Sequence, residues 1–433
     1  MKRALWMLAA GLVAGGTAIS QELAPEVLLL SRVKQHTAEE LKALPNISCL
    51  ETVHRDQKAA TGRMQPLDTV RLEVLSDGHK EQFASPGDRN FSDQPPISYA
   101  GSGTLGDGFF GLYLRTVLVG GNVSYSYKGD MERGGRRLAQ WDYRLPLQFS
   151  GQTFHLQQGS GRVSLQGSFF ADAKTYDVTR LTVEAGDFPP TLPVNEAHWS
   201  IDYARTSLGR GRAALLPESA EFRMVMFSGE ATHQRFGFTQ CRIFGAQSTI
   251  TFDAADTVED QARFGSAAID DTLRTLPGGL HIAVKLISRI AGDATVGALI
   301  EGVVADEVRI KGAPRIAPGA RVRGRIRRLE RYTEPVPHFI VALEFTEVEL
   351  NGLRYRFDAD FNHTEGGRVE QTLSIEKAEG TMAGSPYRVN TTRETLEAGE
   401  LPGVAVFFFR GGQLNLAEGL RTIWTTRLAT PKN

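Results

Sequence analysis

The residue types that could do chemistry in this chain are dispersed. Nine histidines (His36, His54, His79, His155, His198, His233, His281, His338 and His363) fall at spacings that match no metal-ligand motif. No GxSxG elbow occurs. Only two cysteines are present, Cys49 in NISCLETVH and Cys241 in FTQCRIFGA, and neither sits in a thiolate-activating motif. Gly101-Ser102-Gly103-Thr104-Leu105-Gly106 spells GxGxxG. A phosphate cradle of that type needs a buried strand before it and a βαβ unit around it. This loop has neither, and reads as a flexible segment whose glycines permit close packing. Carboxylate pairs for glycoside hydrolysis are set by separation in space, so the sequence alone does not reveal them. No cofactor and no metal is expected, and the reading is of a non-enzymatic protein.

Two groupings remain. Arg321, Arg323, Arg325 and Arg327 alternate with Val322, Gly324 and Ile326, which on a strand puts four guanidiniums on one face. Arg328 and Arg331 extend the series. This patch suits anionic groups such as lipid phosphates. It equally suits a neighbouring strand carrying Glu344, Glu347 and Glu349, which alternate in the same way. Phe109, Phe110, Leu112, Tyr113 and Val117, with Leu118, crowd a segment of helical spacing. Their plain role is core packing. Their sharper role is to line a lipid-sized apolar cavity.

The elements that must position these residues are mostly strands. Residues 25–44 read as one helix, opened by Pro25 and ended by Leu44-Pro45-Asn46. Strands follow at Thr69–Leu75, Val123–Tyr127, Arg137–Tyr143, Gln152–Gln157, Arg162–Phe170, Thr175–Glu184, Ala197–Tyr203, Glu221–Phe227, Phe236–Phe244 and Ser248–Phe252. A second helix is expected over Phe109–Val119. The fold class is mainly β: an antiparallel half-barrel with one or two covering helices, then a small β-barrel or sandwich. The second unit is carried by Leu280–Leu286, Gly297–Arg309, Arg321–Leu329, Phe339–Leu350, Leu353–Phe361, Val404–Phe409 and Thr422–Leu428, with Asn351-Gly352 as a hairpin turn.

The ends and joints set the compartment. Lys2-Arg3, the apolar run Ala4–Ala14 and small residues to Ser20 form a signal peptide over 1–20. Domains are then expected at 21–253 and 276–433, with a linker at 254–275 and an insertion at about 364–399. No later apolar run is long enough to span a bilayer as a helix. The net charge of −1 becomes −3 once Lys2 and Arg3 leave, which gives no attraction to nucleic acid. In an oxidising compartment Cys49 and Cys241 are expected to pair; the alternative is two separate buried thiols.

Two resemblances sharpen this. The stretch LPGGLHIAVKL, then IEGVVADEVRIKG, then IAPGARVRGRI with Gly324 at mid-strand resembles the C-terminal β-barrel of TrbI-type scaffold proteins of conjugation and type IV secretion systems. The likeness covers about 276–361, with Gln413–Thr426 closing the barrel. It implies a docking module; the membrane helix and Pro-rich spacer of those scaffolds have no counterpart here. The pieces WDYRLPLQFSGQTFHL, GSFFADAKTYDVTRL and FTQCRIFGAQSTITF resemble a group of exported proteins from soil bacteria of the acidobacterial type. The order of helix, meander and helical crossover is similar to LolA/LolB-type lipoprotein carriers. That resemblance implies a cup for acyl chains between a curved sheet and its helices, and it transfers no individual ligand residue. The expected role is a cell-envelope binding or transfer protein for an apolar ligand or lipidated partner, in the periplasm or at the outer-membrane periphery. Alternatives are an interaction or scaffold protein of an envelope assembly, and an envelope-polymer hydrolase.

Overall fold

A computed structural model describes residues 23–88, 90–156, 159–209, 211–245, 274–309, 315–334, 336–365, 372–374, 403–416 and 418–427. The signal peptide, the strand expected at Ser248–Phe252, the linker up to 273 and most of the 364–399 insertion lie outside the described residues.

Helix α1 runs Pro25–Ala43, with Pro25 in its first turn and only Val33, Thr37 and Leu41 buried. Three strands follow: β1 (Ile47–Lys58), β2 (Gln65–Ser76) and β3 (Glu81–Ala84). After the crossover come β4 (Ser124–Arg133), β5 (Arg136–Leu145) and the small hairpin β6 (Thr153–Leu156) and β7 (Gly159–Arg162). The meander then continues through β8 (Ser164–Asp172), β9 (Val178–Gly186), β10 (Val194–Gly209), β11 (Arg212–Met226) and β12 (Ala231–Ile243). Ten of these strands form one antiparallel sheet in the order β3-β2-β1-β12-β11-β10-β9-β8-β5-β4.

That order dictates what covers the sheet. The chain leaves at β3 on one edge and re-enters at β4 on the opposite edge. The intervening segment must therefore pass across a face. It does so as α2 (Leu112–Leu114) and a π-helical turn, Arg115–Val119. Helix α1 packs beside it. The helix expected over Phe109–Val119 is thus shorter than its spacing suggests, because Gly108 adopts φ +85 and the helix begins only after Gly111.

Cys49 and Cys241 form a disulfide. It joins β1 to β12, the one place where the first meander meets the last strand of the second. The register slips between Ser48 and Leu50, where Gln240 takes φ +52, so a β-bulge sits at the bond.

The second unit contains β13 (Arg274–Thr275), β14 (His281–Leu286), β15 (Ile290–Ala291), β16 (Leu299–Val304), β17 (Arg321–Tyr332), β18 (His338–Leu350), β19 (Leu353–Arg356) and β20 (Ala359–Glu365). It is completed by β21 (Thr372–Ser374), β22 (Val404–Arg410), β23 (Asn415–Leu416) and β24 (Arg421–Thr426). The principal sheet order is β13-β19-β18-β17-β16-β14-β24-β20, with β22 pairing β18 and β21. Asn351 and Gly352 both take positive φ, as a type I′ hairpin requires. Trp424 is fully buried among Phe345, Phe357 and Phe361. The two units pair directly: Val296 donates its N–H to Thr69 and accepts from Arg71, both on β2.

The disulfide closes a span of 192 residues. Loop entropy on that scale gives about 5 kcal/mol, and native bonds usually deliver about 2–5 kcal/mol. Cys49→Ser is expected to lower the denaturant midpoint accordingly, and the native protein to show no free thiol on titration.

Candidate functional site

The covered face of the half-barrel is apolar and aromatic. Trp141 stacks on Phe169 with ring centroids 5.2 Å apart, and Trp199 on Phe222 at 4.8 Å. The crossover plugs into this lining. Phe109 meets Phe236 at 4.6 Å, Phe110 meets Phe238 at 5.1 Å, and Tyr113 meets Trp199 at 5.7 Å. Hairpin β6–β7 adds Phe154 against Trp199. Phe109, Phe110, Tyr113 and Val117 are all buried, whereas Leu112 is 38% exposed. The five residues singled out in the sequence thus occupy the apolar face themselves, with Leu112 at its rim. Tyr203 and Tyr125 donate hydrogen bonds to the carbonyls of Phe109 and Val117, which fixes the crossover backbone over the sheet.

Leu112 also lines a depression of about 320 Å³ at the β3 edge, together with Gly78, Lys80, Glu81, Asp93 and Asp107. Behind it, Glu51 projects from β1 on the covered side and is 2% exposed. Burial, then the charges of Glu81 and Asp107, push its carboxyl well above the usual range. Glu81 is pushed up to about 7, by burial first and by Asp107 second. Among the described residues no group of histidine, cysteine and carboxylate side chains is placed to hold a metal ion.

The glycine-rich loop has a structural task. It threads the seam between the two units. Arg55 on β1 holds Asp68 with two hydrogen bonds, 2.7 and 2.5 Å, and donates to the Ser102 carbonyl at 2.6 Å. The Ser102 hydroxyl donates to Glu330 on β17 at 2.7 Å. Glu330 also accepts from Arg328 at 2.6 Å and from the Tyr332 hydroxyl at 2.7 Å. The side chains of Arg55, Asp68, Arg328 and Glu330 are all nearly or completely inaccessible. Burial pushes Glu330 upward, but Arg328, Arg55 and Tyr332 pull it below the usual carboxylate range. Gly101 is required at its position, because a Cβ there would lie 2.2 Å from Cγ of Arg328. Further along, the Gly106 N–H and the Thr104 carbonyl both engage Gln234.

The arginine series divides. Arg323 faces Glu301, Glu347 and Glu349, and Arg327 pairs with Glu344 at 3.4 Å, so the glutamate strand does neutralise it. Arg325 donates to the Gly297 carbonyl, and Arg327 lies over the Tyr99 ring. Arg321 heads β17 on an exposed position. Arg328 does not extend the patch: it falls on the opposite, inward face with Val322 and Ile326 and pairs with Glu330. Period-two alternation contained that signal, since 328 is out of phase with 321, 323, 325 and 327. By the same rule Glu51 and Arg55 share a face with Cys49 and Val53, and so mark themselves as buried charges.

Removing one partner from a buried ion pair leaves an uncompensated charge, at a cost of about 3–5 kcal/mol. Glu330→Ala is expected to lose that much in chemical denaturation. Gly101→Ala is expected to cost about 1–3 kcal/mol by overpacking. A double-mutant cycle with Arg328→Ala should show that most of the Gly101→Ala penalty disappears when the arginine side chain is absent.

No family model matches the chain, and no curated protein matches it. Among solved structures, it is similar to a LolA superfamily protein from Nitrosomonas europaea, at 8% identity and a TM-score of 0.26, covering 50% of this chain and 94% of that one. It is also similar to an outer membrane lipoprotein-sorting protein domain from Vibrio parahaemolyticus, at 10% identity and a TM-score of 0.26, covering 50% of this chain and 93% of that one. A third is ComB10 of the Com type IV secretion system of Helicobacter pylori, at 11% identity and a TM-score of 0.19, covering 36% of this chain and 88% of that one.

Proposed function

We propose that this is an exported, non-enzymatic protein of the cell envelope that binds an apolar ligand, a lipid acyl chain or a lipidated partner, on the covered face of its half-barrel. One observation carries the reading. Much of the covered face of a ten-stranded sheet is aromatic and aliphatic, and among the described residues its cover is one long helix, the crossover and a hairpin of four-residue strands. Helix α1 contributes only three buried side chains. A large apolar surface under a thin cover is a place where an acyl chain can replace the protein's own side chains at little net cost, since both bury the same kind of area. The disulfide suits an oxidising compartment such as the periplasm. Nucleic acid is not a partner in this reading, given the near-balanced charge.

The second unit serves as a docking module. Its backbone pairing to β2 and the Arg55–Ser102–Glu330 network make the two units one body. That rigidity also favours a second reading, an interaction or scaffold protein of an envelope assembly.

Protein purified from envelope extracts is expected to carry an apolar adduct in native mass spectrometry that organic extraction removes. Phe110→Ala, which opens space against Phe238, should raise uptake of a fluorescent fatty-acid probe several-fold. Protein that is free of lipid and takes up no probe overturns the first reading. In that case discrete high-mass adducts on cross-linking in intact cells support the scaffold reading, and a purely monomeric profile overturns it.

A further inference from the structure

Among the described residues of the N-terminal unit, four buried side-chain polar atoms have no hydrogen-bond partner: Oγ1 of Thr37 on α1, Oε1 of Glu51 on β1, Nε of Arg115 on the crossover and Nε1 of Trp199 on β10. All four belong to the covered face or to its cover. Three of them have a local answer. A threonine hydroxyl on a helix can rotate to a carbonyl one turn back. Arg115 already donates through another nitrogen to the Gly78 carbonyl at 2.8 Å. Burial pushes the Glu51 carboxyl upward, so it sheds its charge by keeping a proton. Trp199 has no such answer, because its indole is rigid and its N–H only donates. A buried tryptophan normally finds an acceptor. Trp424 in the second unit does so, donating to the Thr422 hydroxyl at 2.8 Å.

Trp199 is 6% exposed and stands on a central strand of the ten-stranded sheet. Phe222 stacks on it, Tyr113 leans on it from the crossover, and Phe154 meets it edge-on from hairpin β6–β7. Val183 and Phe222 face it across the sheet, and buried Ala197 and Ile201 flank it along the strand. None of these neighbours is charged, and none accepts the indole proton. The hairpin is a two-stranded sheet of its own, so Phe154 can be displaced without breaking a strand of the main sheet.

We propose that Trp199 donates its indole N–H to a carbonyl of the ligand, and that the ligand is a neutral acyl compound, an ester or amide of a long-chain acid, rather than a bare hydrocarbon or an anion. This deepens the apolar-ligand reading and rests on it. A hydrocarbon would bury the same kind of area and leave the N–H unpaired. A buried donor without an acceptor costs more than a completed bond gains, so the site favours a ligand that completes it. An anionic head would need a cation to repay its desolvation, and the neighbours of Trp199 are apolar or aromatic. An acyl carbonyl matches one donor with one acceptor and brings no charge. Its chain then continues over the aromatic and aliphatic face.

Displacement of the fluorescent fatty-acid probe from the full chain by methyl palmitate, N-methylpalmitamide and octadecane tests this. The three are of similar length, and only the first two carry a carbonyl. At least one of those two is expected to compete about three- to tenfold more strongly than octadecane. The stronger of them identifies the linkage. Trp199→Phe keeps an aromatic ring against Phe222 and removes the N–H, so the carbonyl advantage should vanish while octadecane still competes. Heteronuclear NMR of the indole N–H groups gives a readout that does not depend on how the variant packs. The wild-type Trp199 proton, assigned by its loss in Trp199→Phe, should move downfield on binding the carbonyl ligand and not on binding octadecane. Octadecane competing as well as both carbonyl ligands overturns the proposal and leaves the apolar-ligand reading standing. An indole proton that stays in place when the carbonyl ligand binds does the same, and so does a carbonyl advantage retained in Trp199→Phe. A chain that takes up neither the probe nor any of the three ligands overturns both.

Discussion

The chain must return from one edge of a ten-stranded sheet to the other, and this constraint organises the N-terminal half of the molecule. Had β4 followed β3 as its neighbour, a tight turn would have sufficed and the apolar face would have needed another cover. Because the two strands stand at opposite edges, about forty residues of connection have to cross the face. The glycines of residues 101–108 let that connection run close to the seam, and Phe109 to Leu118 then fill the aromatic bed. The disulfide secures the same topology from the sheet side. It bonds β1 to β12, so the first three strands cannot separate from the rest without breaking it.

The seam between the units shows which interactions set stability and which set geometry. Apolar burial is non-directional and supplies most of the free energy of both cores. Buried ion pairs seldom add net stability, because desolvation consumes the Coulombic gain. Their effect here is positional. Arg55 reads Asp68 and the Ser102 carbonyl at once, and Ser102 passes the register to Glu330. A shift of either unit by one residue would strand four charges away from water. The cost of that misalignment, rather than the strength of the aligned state, makes the joint specific.

Much of the fold was legible in the sequence, because period-two alternation between turn residues marks half-buried strands well. The helix at residues 25–44, the Asn351-Gly352 turn, the Cys49–Cys241 bond and the glutamate partners of the arginine strand all follow from local pattern or compartment. The ends of β10 and β11 did not. They extend through Ser207, Gly209 and Pro217, residues that read locally as turn, and cross-strand pairing overrides that preference. The edge-to-edge crossover was equally hidden, because strand order is a long-range property. The candidate site was the least legible part. Glu51 and Arg55 share β1, but their partners Glu81, Asp107, Asp68 and Glu330 come from other segments and approach them only once the sheet order is fixed. Glu51, Arg55 and Glu330 had one local signature, phase: charged residues on inward positions of otherwise apolar strands; Asp107, exposed in its loop, had none.

The polar groups at the seam and at the crossover differ in composition. At the seam, each carboxylate has a guanidinium within hydrogen-bonding distance; Glu330 is held below its ordinary range, whereas burial still leaves Asp68 above its own. At the crossover, Glu81 accepts two backbone N–H groups, and among the described residues no ion pair supplies it a cation. The seam excludes water, whereas at the crossover Glu81 is half-buried and Asp107 exposed. An ion pair recovers desolvation that a neutral donor recovers only in part. The joint between the units is therefore held by paired charges, while the start of the crossover is held by two backbone N–H groups on one carboxylate.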